Sequence, residues 1–121
     1  MPASLIAIDW GSSSFRAYLM ARDGAVVDEI ASADGVSTVA PGAFADVLRR
    51  LVGGWLDAHA DLPIVASGMV GSWHGWREAP YVKCAADPRD IAASLVAVPA
   101  GARVVDLAPG LASRTTAASP T

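Results

Sequence analysis

Leu5-Ile6-Ala7-Ile8-Asp9-Trp10-Gly11-Ser12-Ser13-Ser14-Phe15-Arg16-Ala17-Tyr18-Leu19 is the stretch from which the rest of the chain is best read. Its first four residues form a short apolar run, closed by an acid and a glycine. That length suits a buried strand better than a helix. Past the serines the apolar residues alternate: Phe15, Ala17, Leu19 and Ala21 share one face, and Arg16, Tyr18, Met20 and Arg22 the other. A period of two is the signature of a half-buried strand. Asp23-Gly24 then supplies a two-residue hairpin signal, and Ala25–Ile30 a returning strand. The first third therefore reads as a three-stranded antiparallel meander.

Outward from this meander, Ser32–Gly42 carries Asp34-Gly35 and Pro41-Gly42 and reads as a loop. Phe44, Val47, Leu48, Leu51, Val52, Trp55 and Leu56 then recur at helical spacing, with Asp46, Arg49, Arg50 and Asp57 opposite. Within that helix each residue of Gly53-Gly54 costs about 1 kcal/mol relative to alanine, and the pair suits close packing against a sheet. Pro63–Ser67 reads as a buried strand leaving through Gly68, and the stretch 68–84 has no clear period. Asp87-Pro88-Arg89-Asp90 has the chemistry of a helix start, with Ile91, Ala92, Leu95 and Val96 on the apolar face. Arg103–Leu107 is a last strand, closed by Pro109-Gly110. The expected fold is α/β: the meander is extended by βαβαβ into a mixed sheet with helices against its faces. Residues 1–111 make one domain, and 112–121, rich in Ser, Thr and Ala, a flexible tail.

The chain has 121 residues, 53% hydrophobic and 17% charged, which is ample for a buried core. A net charge of −3 with scattered Arg and Lys disfavours a nucleic-acid partner. No apolar run approaches the roughly 20 residues that span a bilayer, so no membrane partner is expected. Cys84 is the lone cysteine, in keeping with a reducing, cytoplasmic setting. It has no neighbouring base that would make it a nucleophile, and with His59 and His74 it forms no metal-ligand spacing.

The chemistry concentrates in two places. An aspartate ending a buried strand is rigidly held, and a glycine followed by three serines offers close backbone approach, amides and hydroxyls. Gly11, Ser12, Ser13 and Ser14 can cradle phosphate oxygens, while Asp9 holds magnesium against them. The loop lacks the Gly-Lys-Ser/Thr ending of a Walker A motif, and a strand follows it rather than a helix. The same residues also suit an ordinary Ser/Gly-rich hairpin with a solvent-exposed acid; the order strand, acid, glycine, hydroxyls, strand favours the ligand. The second place is Ala66-Ser67-Gly68-Met69-Val70-Gly71-Ser72, followed by Gly75-Trp76 and Ala79-Pro80-Tyr81. It leaves the carboxyl end of a strand, where open α/β sheets bind ligands. Ser72, Trp76, Glu78 and Tyr81 offer polar groups to a hydroxylated substrate, and Arg77 a cation for a carboxylate. Tryptophans beside a glycine-rich turn equally serve as plugs at a domain's edge.

Residues Ile8–Ala17 resemble the first phosphate-binding motif of the actin-like, hexokinase-like ATPase superfamily. Trp10 and the second block narrow the resemblance to the 2-dehydro-3-deoxygalactonokinase family, with a weaker third block at Pro109-Gly110-Leu111. The resemblance implies a ribonuclease H-like domain and ATP and magnesium as cofactors. It also implies transfer of the γ-phosphate to the 6-hydroxyl of 2-dehydro-3-deoxy-D-galactonate, in galactonate catabolism. Asp9 would then be the catalytic and metal-holding acid. Gly11–Ser14 and Arg16 would bind phosphates, with Arg16 steadying Asp9 or a phosphate. Ser72, Trp76, Glu78 and Tyr81 would line the sugar-acid pocket. Members of the family are more than twice as long, so a missing carboxy-terminal domain is expected, and the catalytic base and a homo-oligomeric state are left open. A non-catalytic remnant, or a kinase acting on another sugar or polyol, are the competing readings.

Overall fold

A computed structural model of the chain describes residues 3–72, 75–77, 82–83, 95–108 and 111–112. The meander is as expected: β1 (Ala3–Trp10), β2 (Phe15–Ala21) and β3 (Val26–Ser32) pair antiparallel in sequence order. Asp23-Gly24 makes the hairpin between β2 and β3. Gly24 adopts φ 91°, a left-handed conformation that glycine reaches without steric cost. The Asp23 carboxylate accepts the Ala25 amide at 3.0 Å. Helix α1 (Phe44–Ala58) follows, and then β4 (Ile64–Ser67), which runs parallel to β1 on the side away from β2.

The chain continues through β5 (Val82–Lys83), β6 (Val96–Ala100), β7 (Arg103–Leu107) and β8 (Leu111–Ala112). β7 runs parallel to β4, completing a six-stranded mixed sheet of order β3-β2-β1-β4-β7-β6. β5 and β8 pair as a separate parallel ribbon.

Two expectations are corrected here. Val96 does not extend a helical face: it opens strand β6, which pairs antiparallel with β7 through a turn at Gly101-Ala102. The Val-Ala-Val-Pro-Ala sequence contains a proline, which cannot donate to a ladder and is tolerated in a strand at the sheet's edge. β6 is such an edge, and Pro99 is exposed on it. The proposed start of the second helix at Asp87 lies outside the described residues, as do Pro109-Gly110 and the tail beyond Ala112. The second correction concerns Gly53-Gly54. A Cβ at Gly54 would meet nothing within 4 Å, and one at Gly53 only the aliphatic part of Arg49. The pair therefore does not serve close packing against the sheet.

Alternation along the strands builds the core. Ile6, Ile8 and Trp10 of β1 lie beside Leu19, Ala17 and Phe15 of β2, and with Ile64 and Ala66 of β4 and Val105 and Leu107 of β7 they are all buried. Phe44, Leu48, Val52, Trp55 and Leu56 of α1 cover them. At about 25 cal/mol per Å² of apolar area removed from water, this single cluster is the main stabilising term. Arg103 ties the far end of α1 to β7 by donating to the carbonyls of Leu56 at 2.9 Å and Leu62 at 2.6 Å. The opposite sheet face carries Leu5, Ala7 and Asp9, then Arg16, Tyr18, Val65, Ser67, Val104 and Asp106, all exposed or half-buried among the described residues. No helix among them is long and apolar enough to cross a membrane.

Candidate functional site

The carboxyl ends of β1 and β4 lie side by side, with Asp9 level with Ser67. This register brings the two chemically rich blocks of the sequence to one edge of the sheet. Period-two alternation turns Asp9 away from its buried neighbours Ile8 and Trp10, so its carboxylate is exposed. Among the described residues it forms no ion pair or hydrogen bond. Arg16 stands directly across from it in the β1–β2 register, yet its guanidinium reaches Glu29 of β3 at 3.8 Å, both side chains being about half exposed. Arg16 thus does not neutralise Asp9.

The turn after Asp9 has a marked polarity. The Gly11 amide donates to the Ser14 carbonyl at 2.9 Å, which closes the turn. The Gly11 carbonyl accepts from the Val36 amide at 2.8 Å, and the Ser12 carbonyl accepts from both the amide (3.0 Å) and the hydroxyl (2.7 Å) of Ser37. The carbonyl oxygens of Gly11, Ser12 and Ser14 are therefore occupied from within. Among the described residues, nothing accepts from the amides of Ser12, Ser13 and Ser14, and all three side chains are exposed. Successive N–H groups without acceptors, beside engaged carbonyls, are the elements of an anion-binding concavity; the Ser14 nitrogen lies against Gly35. Gly11 contributes space rather than shape: a Cβ there would meet only the Ser14 oxygen, at 3.8 Å. The fold therefore tolerates a larger residue at that position.

Behind the turn runs the segment Asp34–Thr38, whose Val36–Thr38 form a 3-10 turn. Gly35 presses flat against Ser12–Ser14, and a Cβ there would fall inside van der Waals contact with three backbone atoms of the turn. Asp34 is anchored from several sides. Its carbonyl accepts from the Trp10 indole at 2.9 Å, and its carboxylate from the Ser32 hydroxyl and from Arg50 of α1 at 2.8 Å. The Ser32 hydroxyl, and next the Arg50 guanidinium, hold the Asp34 carboxyl below its ordinary value of 3.8. Neither Asp34 nor Ser37 was assigned a site role from the sequence. Asp34-Gly35 carries a turn signal, but nothing local marks its contact with residues some twenty positions earlier.

On the β4 side, Gly68 adopts φ 96°, ψ −156°, and a Cβ would lie 2.8 Å from the Trp10 carbonyl and 3.3 Å from an Asp9 carboxylate oxygen. A 3-10 turn at Met69–Gly71 follows. Ser12, Val36, Ser37, Val39 and Met69 line a hollow of about 390 Å³ beside the serine turn. The Ser72 hydroxyl donates to the Met69 carbonyl at 2.7 Å, fixing that 3-10 turn. Trp76 stacks on Phe44 at 6.0 Å with planes 12° apart, and meets Trp10 edge-on at 6.3 Å. It packs on the α1 side of the sheet, opposite to Asp9, as the plug at the domain's edge. Glu78 and Tyr81, with Trp73 and His74, lie outside the described residues.

Residues 9–119 match the 2-keto-3-deoxy-galactonokinase family, which is most of the chain. The chain belongs to that family. Relatives of the 2-keto-3-deoxy-galactonokinases bear this out. A Rhizobium meliloti protein named probable 2-dehydro-3-deoxygalactonokinase DgoK1 is 41% identical over 108 residues, covering 89% of this chain and 35% of the relative. The Escherichia coli 2-dehydro-3-deoxygalactonokinase is 37% identical over 98 residues, covering 81% and 32% respectively. A Sinorhizobium meliloti protein whose crystal structure carries the 2-dehydro-3-deoxygalactonokinase name superposes with a TM-score of 0.72 at 40% identity. That alignment covers 91% of this chain and 36% of the other. This chain therefore spans about a third of the length of the relatives it matches.

Proposed function

We propose that this chain forms the nucleotide-phosphate side of an ATP-dependent sugar-acid kinase, one that phosphorylates the 6-hydroxyl of 2-dehydro-3-deoxy-D-galactonate. Kinship supports the reaction class, since the curated relatives carry that kinase name. The single structural observation behind it is the Gly11–Ser14 turn: the Gly11, Ser12 and Ser14 carbonyls are engaged within the fold, while among the described residues nothing accepts from its serine amides or pairs with the exposed Asp9 beside it. An antiparallel β3-β2-β1 meander continued by parallel β4 and β7 is also the strand arrangement that a ribonuclease H-like, actin-like ATPase domain calls for.

The residues present suit magnesium-bound phosphate. Magnesium is commonly held by one or two carboxylates together with phosphates and water, and Asp9 supplies one carboxylate in the open. When bound, the ion neutralises charge on the phosphates. Ser12, Ser13 and Ser14 donate to phosphate oxygens from amides and hydroxyls, positioning the terminal phosphate; phosphoryl transfer depends mainly on such positioning and charge stabilisation. Arg16, held by only a long contact to Glu29, is available to swing toward a phosphate. Ser72, Trp76, Glu78 and Tyr81 belong to the sugar-acid side in this reading. The packing of Trp76 on Phe44 and Trp10 makes its role there one of shaping a wall.

Isothermal titration of the chain with magnesium-ATP tests the proposal. Binding is expected to be magnesium-dependent and to weaken about tenfold or more in Asp9→Asn, in line with loss of a charge-assisted contact. Equal affinity in the two proteins sinks the role of Asp9. Because the named relatives are about three times as long, turnover by this chain alone is expected to be slight. Steady ADP release that needs the sugar acid and disappears in Asp9→Asn would show otherwise.

A further inference from the structure

We propose that Asp34–Thr38 is a positioning strap that holds the Gly11 and Ser12 carbonyls of the serine turn inward, with Gly35 and Ser37 as the positioning residues. The inference rests on the phosphate-binding reading of the turn. An isolated Gly-Ser-Ser-Ser turn has no reason to point its carbonyls one way, because each peptide can rotate to offer either its N–H or its C=O to solvent. Here the strap removes that choice. The Val36 amide and the Ser37 amide and hydroxyl take up the carbonyls of Gly11 and Ser12. With those oxygens drawn inward, the negative ends of the peptide dipoles are withdrawn from the side that a polyanion must approach.

Gly35 makes the contact possible by space alone. Its φ of −70° is open to any residue, so glycine is not needed for its conformation. It is needed because the Ser12–Ser14 backbone occupies the volume of a side chain. The strap is in turn fixed to the core. Asp34 is bonded to Ser32, to the Trp10 indole and to Arg50 on α1, and the Thr38 hydroxyl donates to the Gly35 carbonyl at 2.8 Å. The polarity of the turn is thereby set by a segment that need not touch the ligand's phosphates.

The test is a titration of ¹⁵N-labelled chain with magnesium tripolyphosphate, followed by amide chemical shifts. In the native chain the largest changes are expected at Gly11–Ser14. Ser37→Ala removes one hydroxyl donor from an exposed residue and is expected to raise the dissociation constant about three- to tenfold with an unchanged melting temperature. Ser37→Thr, which keeps the hydroxyl, is expected to restore the native value. Gly35→Ala should displace the turn and weaken binding further, with altered Ser12–Ser14 shifts even before ligand is added. Ser37→Ala carries the test if Gly35→Ala does not fold. Native-like affinity and shifts in Ser37→Ala overturn the strap and leave the phosphate site standing. Absence of any change at Gly11–Ser14 in the native chain overturns the phosphate reading, and the strap's role with it.

Discussion

At the scale of single residues, three glycines around the candidate site do three different jobs. Gly11 borders open space, Gly35 meets a neighbouring backbone, and Gly68 needs both a left-handed φ and room beside Trp10. Their substitutions are expected to separate accordingly. Gly11→Ala should leave urea stability within about 0.5 kcal/mol of native, as surface changes usually do, while weakening magnesium-tripolyphosphate binding. Gly68→Ala should cost about 2–3 kcal/mol, because its φ and ψ fall in a region almost restricted to glycine. A Gly11→Ala protein that unfolds early but binds normally would place Gly11 in the fold rather than in the site. That Asp9 and three serines stand exposed together at the end of β1 was legible from residue types and alternation alone. Arg16 was not, since its exposed side chain has both Asp9 and Glu29 within reach and only geometry selects Glu29.

At the scale of elements, local pattern carried far. The meander, α1, β4 and β7 stand where alternation, helical spacing and turn residues put them, with ends shifted by a residue or two. β6 was missed because Leu95 and Val96 fit a helical face as well as a strand start. The partner that stabilises β6 is β7, reached through Gly101 at φ 65°. Gly53-Gly54 shows the reverse error, a packing role assigned to residues that face open space. Gly54→Ala is therefore expected to stabilise the chain by about 1 kcal/mol, the propensity difference of an exposed helix interior, seen as a higher urea midpoint. A destabilised variant would mean that α1 is crowded at that position.

At the scale of the whole molecule, the sheet has two unlike faces. The α1 face is dry, and the other carries Asp9 together with apolar residues that nothing among the described residues fully covers. Val104 is 54% exposed and its neighbour Val105 0%. Val105→Ala is expected to cost about 2 kcal/mol through the lost burial and the cavity left behind. Val104→Thr should change stability by less than about 0.5 kcal/mol. The reverse order in chemical denaturation, with Val104→Thr costly and Val105→Ala nearly neutral, would show that the register of β7 is off by one residue, since a single slip exchanges the two faces.

The sequence by itself determined the meander, α1, β4 and β7, which strand face is buried, and where an acid, a glycine and three hydroxyls meet. These follow from periods of two and 3.6 and from turn chemistry, which act over a few neighbouring residues. Only the tertiary structure decided that Trp76 plugs the core and that β6 closes the sheet. It alone also brought the amides of Val36 and Ser37 onto the carbonyls of Gly11 and Ser12, some twenty-five residues earlier. Contacts of that kind depend on how separate elements are brought together, and the shape of one peptide's surroundings is not written in its own neighbours.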